Sequence, residues 1–169
     1  AMVEIGFGAR VVQLTHRLRS GRLHAIYRRW GDMVYAIAAM GALASPREER
    51  FQLIQNNAAA PREATAAIIA NTRCYAKGWS MAPGARMDDG RLDLVIRRRS
   101  SPGVILRAFH AAARERLPAK AFSDYKQGQR FLFQSETPMT VQMDGDPLPA
   151  LKWMEVVVAP GRLHLITPE

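Results

Sequence analysis

Two short acidic turns hold most of the side chains that could do chemistry. The first runs Met81-Ala82-Pro83-Gly84-Ala85-Arg86-Met87-Asp88-Asp89-Gly90-Arg91-Leu92-Asp93. Asp88, Asp89 and Asp93 fall within six residues, beside a backbone that must bend. Clustered carboxylates and outward carbonyls suit a hard cation that wants oxygen ligands. The same spacing serves a plain turn, because aspartate bonds nearby backbone and glycine accepts positive φ. The second turn runs Val141-Gln142-Met143-Asp144-Gly145-Asp146-Pro147-Leu148, with two carboxylates flanking a glycine after an alternating strand. A carboxylate projecting from a strand end could take a proton from an alcohol. Here too a plain turn accounts for the spacing.

Other catalytic signatures are missing from the sequence. It contains no glycine-rich phosphate loop ending in Lys-Ser or Lys-Thr, no paired CxxC and no HExxH. His16, His24, His110 and His164 are scattered, which reads against a histidine metal site. The single cysteine, Cys74, excludes an internal disulfide framework and fits a reducing cytoplasm.

The elements that must position these turns change period along the chain. Ala9 to Arg19 is amphipathic, with Ser20-Gly21 as a stop. From Leu23 the apolar positions Ile26, Tyr27, Trp30, Val34, Ile37, Ala38 and Gly41 follow a three-four rhythm, predicting a long helix that Pro46 ends. Arg50 to Ala59 and Glu63 to Thr72 read as strands of a hairpin around Pro61. Leu92 to Arg97 is a short apolar strand, and Val104 to Arg116 returns to helical spacing. Arg130 to Glu136, Met139 to Met143, Trp153 to Val158 and Arg162 to Thr167 read as strands, with a compact turn at Ala159-Pro160-Gly161. The pattern predicts an α+β fold, N-terminal helices followed by a mainly antiparallel β-sandwich. Residues 3–169 read as one domain, with Ala1-Met2 as a cloning scar.

The 169 residues are 48% hydrophobic, enough to bury a core without disulfides. No apolar run reaches the ~18 residues that span a bilayer; Val34 to Ala44 is too short. The net charge of +9 favours polyanionic partners. Arginines cluster at Arg17, Arg19, Arg22, Arg28 and Arg29, and again at Arg97, Arg98 and Arg99. Aromatic residues are only 8% and do not interleave with the arginines, so an anionic membrane surface fits better than nucleic acid.

The order of motifs resembles the C-terminal domain of the diacylglycerol kinase, YegS-like and sphingosine kinase superfamily. Gly6-Phe7-Gly8-Ala9-Arg10-Val11 is similar to the domain's opening, usually Gly-Phe-Asp-Ala-x-Val. Ile69-Ala70-Asn71-Thr72-Arg73 resembles its Ala-Asn-Gly-Arg strand. Met81 to Val95 resembles the stretch around Leu-Asp-Asp-Gly-Leu-Leu-Asp-Val, and Val141 to Leu148 resembles Val-Gln-x-Asp-Gly-Glu-Pro-Leu. Ala159-Pro160-Gly161-Arg162-Leu163 resembles the closing Pro-Gly-Ala-Leu strand. These five stretches span almost the whole chain in the family's order.

The resemblance implies ATP-dependent phosphorylation of a lipid hydroxyl, within phospholipid metabolism. ATP would be bound mainly by a preceding N-terminal domain carrying Gly-Gly-Asp-Gly-Thr, which this chain lacks. Asp89, with the carbonyls of Arg86 and Arg91, would hold a structural or regulatory Mg²⁺. Asp146 would be the general base in place of the family's glutamate, one methylene shorter. Other departures are Gly8 for the usual aspartate, Thr72 for the glycine after Asn71, and Ala76-Lys77-Gly78-Trp79 for a more glycine-rich stretch. The expected partners are a lipid substrate, an anionic membrane surface and the N-terminal kinase domain, but not nucleic acid; homo-oligomerisation stays open. The expected location is cytoplasmic, peripheral at the inner face of the membrane. Alone, the chain should be inactive. A non-catalytic lipid- or membrane-binding module is the alternative, and a nicotinamide-nucleotide kinase the third reading.

Overall fold

The computed structural model describes residues 1–20, 24–44, 49–54, 62–73, 80–99, 101–114 and 123–162. Three helices and two mainly antiparallel sheets form an α+β sandwich among these residues, as the periodicity predicts. Strand β1 (Met2–Ile5) comes first, then helices α1 (Phe7–Ser20) and α2 (His24–Ala44). Strands β2 (Phe51–Ile54), β3 (Arg62–Ala64), β4 (Ala66–Ala70) and β5 (Leu92–Arg97) follow, then α3 (Pro102–Ala113). The rest is strand: β6 (Ser123–Gly128), β7 (Arg130–Met139), β8 (Val141–Met143), β9 (Asp146–Pro147) and β10 (Leu151–Val157).

One sheet has six strands in the order β6-β5-β4-β1-β8-β9, the other four in the order β10-β7-β2-β3. Alternating side chains make both inner faces. Leu92, Leu94 and Ile96 from β5 join Ile5, Ile69 and Val141 against Phe51, Leu53, Phe131 and Phe133 of the second sheet. The Phe51 and Phe133 rings meet edge to face, with centroids 5.8 Å apart and planes at 73°. On the other face of the larger sheet, α1 packs against β1, β8 and β9. Phe7 and Val11 of α1 share a second buried cluster with Ala38 and Ala42 of α2 and Ile105 of α3. A third cluster joins Met81, Ala82 and Ala85 to Ile68, Ala70 and Val95.

Several expected boundaries shift for physical reasons. The predicted hairpin is present, with Phe51 opposite Ala64 and Leu53 opposite Arg62. Its second arm does not continue unbroken to Thr72: it breaks at Thr65, and β4 pairs in the other sheet. Thr65 pins this crossover, donating from its N–H (2.8 Å) and its hydroxyl (3.2 Å) to the Arg97 carbonyl. The stretch from Met139 to Met143 likewise changes sheet at Thr140, whose N–H donates to Glu49 Oε2 at 2.9 Å. β6 has no apolar alternation to announce it, because Ser123-Asp124-Tyr125-Lys126-Gln127-Gly128 is a polar edge strand. Gly21, Pro46 and Pro61, the lone Cys74, and the expected strand beyond Arg162 lie outside the described residues. Among the described residues, no helix is long and apolar enough to cross a membrane.

Candidate functional site

The Asp-Gly pair of the second acidic turn makes a two-residue hairpin. Asp144 and Gly145 have φ of 49° and 94°, so both central residues are left-handed, as a type I′ turn between right-twisted strands requires. Met143 and Asp146 are the paired residues that close it. Gln142 Oε1 accepts from the Gly145 N–H at 2.8 Å, and Asp144 is tied to β1 on both sides. Its Oδ1 accepts from the Met2 N–H at 2.7 Å, and its N–H donates to the Met2 carbonyl at 3.0 Å. Asp144 is therefore the turn's anchor, and Asp146 the exposed carboxylate on the edge strand. Directly opposite Asp146 stands Met143, itself 46% exposed, so an acid and an apolar side chain stand side by side.

The first acidic turn divides its three carboxylates into different environments. Asp88 and Arg86 form an exposed bidentate pair at 3.2 Å, and the Arg86 guanidinium holds the Asp88 carboxyl below the usual range. Asp89 Oδ1 accepts from the Arg91 N–H at 2.9 Å. Asp93 is fully buried; its Oδ1 accepts from the Tyr125 hydroxyl and from Gln127 Nε2 at 3.0 Å. Burial holds the Asp93 carboxyl above the usual range. Gln127 opposes that shift, and the negative charge of Asp89 adds to it. Pro160 packs over the same turn, its Cγ 3.7 Å from where a Cβ on Gly90 would lie.

Register places the two turns at one end of the six-stranded sheet. Asp93 pairs with Ala70, Ala70 with Met2, Val3 with Met143 and Met143 with Asp146. Asp93 and Asp146 are therefore four strands apart, about 19 Å at the usual interstrand spacing. The sheet brings the expected cation turn and the expected base to one rim, without direct contact.

The donor set fits a hard cation. Asp89 supplies a carboxylate, Arg86 and Arg91 would supply only carbonyls, and the Arg86 guanidinium is taken up by Asp88. Asp93 Oδ2, two residues from Arg91, is buried without a hydrogen-bond partner, which leaves excess negative potential beside the turn. No group of three or more His, Cys, Asp and Glu residues converges as an all-side-chain metal site among the described residues.

Sequence reading missed a second buried acid. Glu4, 2% exposed, projects from β1 and accepts from Gln142 Nε2 at 3.3 Å. Its carboxylate occupies the space that a Cβ on residue 8 would take, in the first turn of α1. That turn has no acidic residue of its own, so Glu4 supplies the negative charge the helix N-terminus favours. Any side chain at position 8 would collide with that carboxylate, so the packing here admits only glycine. The only trace in the sequence is a charged residue between Val3 and Ile5. A separate groove of about 770 Å³ on the four-stranded sheet is lined by Arg50, Gln52, Glu63, Gln134, Glu136 and Lys152, among others. It contains neither acidic turn.

Comparison with known proteins agrees with this fold. Residues 1–167 match the family described as the YegS C-terminal NAD kinase beta sandwich-like domain. Three solved structures from Bacillus anthracis str. Sterne are similar. One is described as a diacylglycerol kinase (TM-score 0.54, 11% identity, 93% of this chain and 45% of that one). Two are described as putative diacylglycerol kinases. They give TM-scores of 0.55 and 0.56 at 12% and 11% identity, covering 96% and 95% of this chain and 53% and 50% of theirs. The chain thus spans about half the length of each. No curated protein matches it. From its first residue to Thr167 the chain belongs to the family of YegS C-terminal NAD kinase beta sandwich-like domains.

Proposed function

We propose that this chain is the substrate-side half of an ATP-dependent lipid kinase that phosphorylates a lipid hydroxyl. The observation that carries the reading is the rim of the six-stranded sheet, where exposed Asp146 stands beside exposed Met143. An apolar neighbour suits a lipid next to its hydroxyl, and the carboxylate suits the proton that hydroxyl must lose. As the hydroxyl oxygen forms its bond to the γ-phosphorus of ATP, the bond from that phosphorus to the β-phosphate oxygen breaks. ADP leaves, and the hydroxyl proton passes to an Asp146 carboxylate oxygen. The shorter aspartate has one methylene less reach than glutamate, so the substrate must approach the edge strand closely. The phosphates would be held by a nucleotide-binding domain of the same protein, and this chain alone should turn over nothing.

Asp89 and the carbonyls of Arg86 and Arg91 would hold Mg²⁺. When bound, the ion would supply positive charge that neutralises the turn and fixes its backbone. Asp93, underneath, packs the turn against β6 through Tyr125 and Gln127. The basic surface would meet an anionic membrane face from the cytoplasmic side.

The test is ATP-dependent phosphorylation of a lipid panel by the full-length parent, beside its Asp146→Asn variant. We expect the variant to lose ~10²–10⁴-fold in kcat, the usual contribution of a general base. Full activity in the variant would remove Asp146 as the base. A wild-type parent inactive on every lipid would favour a non-catalytic lipid-binding module, the reading to which the shortened Asp146 side chain leans.

A further inference from the structure

The outer side of α2 is apolar over its C-terminal half. Val34, Ala38 and Ala42 face inward and are buried. Met33, Ile37 and Met40 face outward, 47%, 49% and 60% exposed, and exposed Ala44 continues the row. Positions 33, 37, 40 and 44 are spaced four, three and four apart, which sets them on one helix face. No charged residue lies between Met33 and Ala44. A run of half-exposed methionine and isoleucine along a helix is not an ordinary solvated surface.

The surrounding charge indicates what covers this face. The three helices carry one acidic residue, Asp32, against the arginines Arg10, Arg17, Arg19, Arg28, Arg29 and Arg107. α1 and α2 are joined by three residues and pack together, so the last turn of α1, with exposed Arg17 and Arg19, lies toward the start of α2. Arg17 and Arg19 thus lie at one end of the hairpin, and the apolar row occupies the half of α2 away from it. A second copy is a poorer fit, because one row of half-exposed side chains falls short of the ~800 Å² per partner that a stable dimer buries.

We infer that the exposed face of α2 is a membrane-docking surface: Met33, Ile37 and Met40 enter the boundary between headgroups and acyl chains of an anionic bilayer, and the basic end of α1, with Arg17 and Arg19, meets lipid phosphates. The inference deepens the lipid-kinase reading, since docking through α2 would hold the sandwich at the interface where a lipid hydroxyl is reached. The bulk of the affinity comes from charge, and the apolar row sets depth and orientation.

Co-sedimentation of the chain with phosphatidylglycerol vesicles, and separately with phosphatidylcholine vesicles, tests it. Wild type should pellet with the anionic vesicles only. Ile37→Ser/Met40→Ser, which leaves net charge unchanged, should weaken binding on the order of tenfold. Met40→Leu should retain binding, and so should Trp153→Ser, which removes the 67%-exposed tryptophan of the other sheet. Circular dichroism of each variant checks folding; if the double variant fails to fold, Ile37→Ser alone against Met40→Leu decides. Equal binding by wild type and the serine variants overturns the inference, as does loss confined to Trp153→Ser or no binding to anionic vesicles. A wild-type dimer that the serine variants dissociate gives the face to a second copy and overturns it too. The lipid-kinase reading fails separately: a parent that docks through α2 yet phosphorylates no lipid sinks that reading and leaves the docking surface standing.

Discussion

At position 8 a glycine is dictated by a residue four places earlier. The Glu4 carboxylate fills the volume beside it, so any side chain there collides with a buried acid. Gly8→Asp should cost ~2–4 kcal/mol, combining overpacking with the burial of a second charge. Adding Glu4→Ala should recover part of that loss, because the new carboxylate then has the vacated space. Chemical denaturation of the four corners of this cycle measures the coupling. At the surface, Arg130 Nε donates to Glu155 Oε1 at 2.5 Å and holds that carboxyl below its usual range. A depressed carboxyl stabilises the fold above its unfolded pKa and loses that contribution as pH falls through its folded one. Both partners are solvated, so the contribution is small. NMR titration should find Glu155 low in the wild type and near the ordinary glutamate range in Arg130→Gln.

At the element scale, β7 holds the four-stranded sheet to the core through Phe131 and Phe133, both fully buried. Phe133 packs edge to face on Phe51 of β2, its neighbouring strand. Phe133→Ala should lose ~3–5 kcal/mol, because a buried aromatic leaves both lost transfer energy and a cavity. A double-mutant cycle with Phe51→Ala should return ~0.5–1.5 kcal/mol of coupling for the ring pair. Coupling near zero would mean that the rings are held by their own strands alone. The acidic hairpin is a second element with one dominant contact: Asp144→Ala removes the acceptor of the Met2 N–H, while the Asp144 N–H bond to the Met2 carbonyl remains. The expected loss is about 1 kcal/mol, with faster amide exchange at Met2.

For the whole molecule, the sheet separates the proposed ion turn from the proposed base across its width. Asp89 and Asp146 share a rim, but three strands intervene between Asp93 and Asp146, so an ion at the first turn would act on the turn's shape and not on the proposed base. Thermal unfolding checks the ion. Mg²⁺ at tenfold above its dissociation constant should raise the midpoint by about 2–6 °C, since a ligand bound only to the folded state stabilises it. Asp89→Ala should abolish that rise while leaving the ion-free midpoint nearly unchanged. A rise of equal size in the variant would move the ion to another site.

Much of this was legible in sequence, for reasons that differ by element. β5 was read to its boundaries because Leu92, Leu94 and Ile96 alternate cleanly and one face meets the core. α2 was read because its apolar row recurs at helical spacing, and Asp-Gly between paired strands announced its own turn. The crossovers at Thr65 and Thr140 were not legible, since a strand that changes sheet keeps the same local alternation. The burial of Asp93 and Glu4 was not legible either, since an acid that alternates with core residues has the local pattern of a solvent-facing position. Tertiary structure buried them by laying Met81–Ala85 over one half of the sheet and α1 over the other. Sequence by itself thus determined most of the helices and apolar strands, the acidic turns and the identity of the candidate acids, because local conformation follows side-chain type and period. Only the tertiary structure decided which acids are buried, which share a rim and which helix face is left uncovered, because those depend on what packs across the sheet from distant parts of the chain.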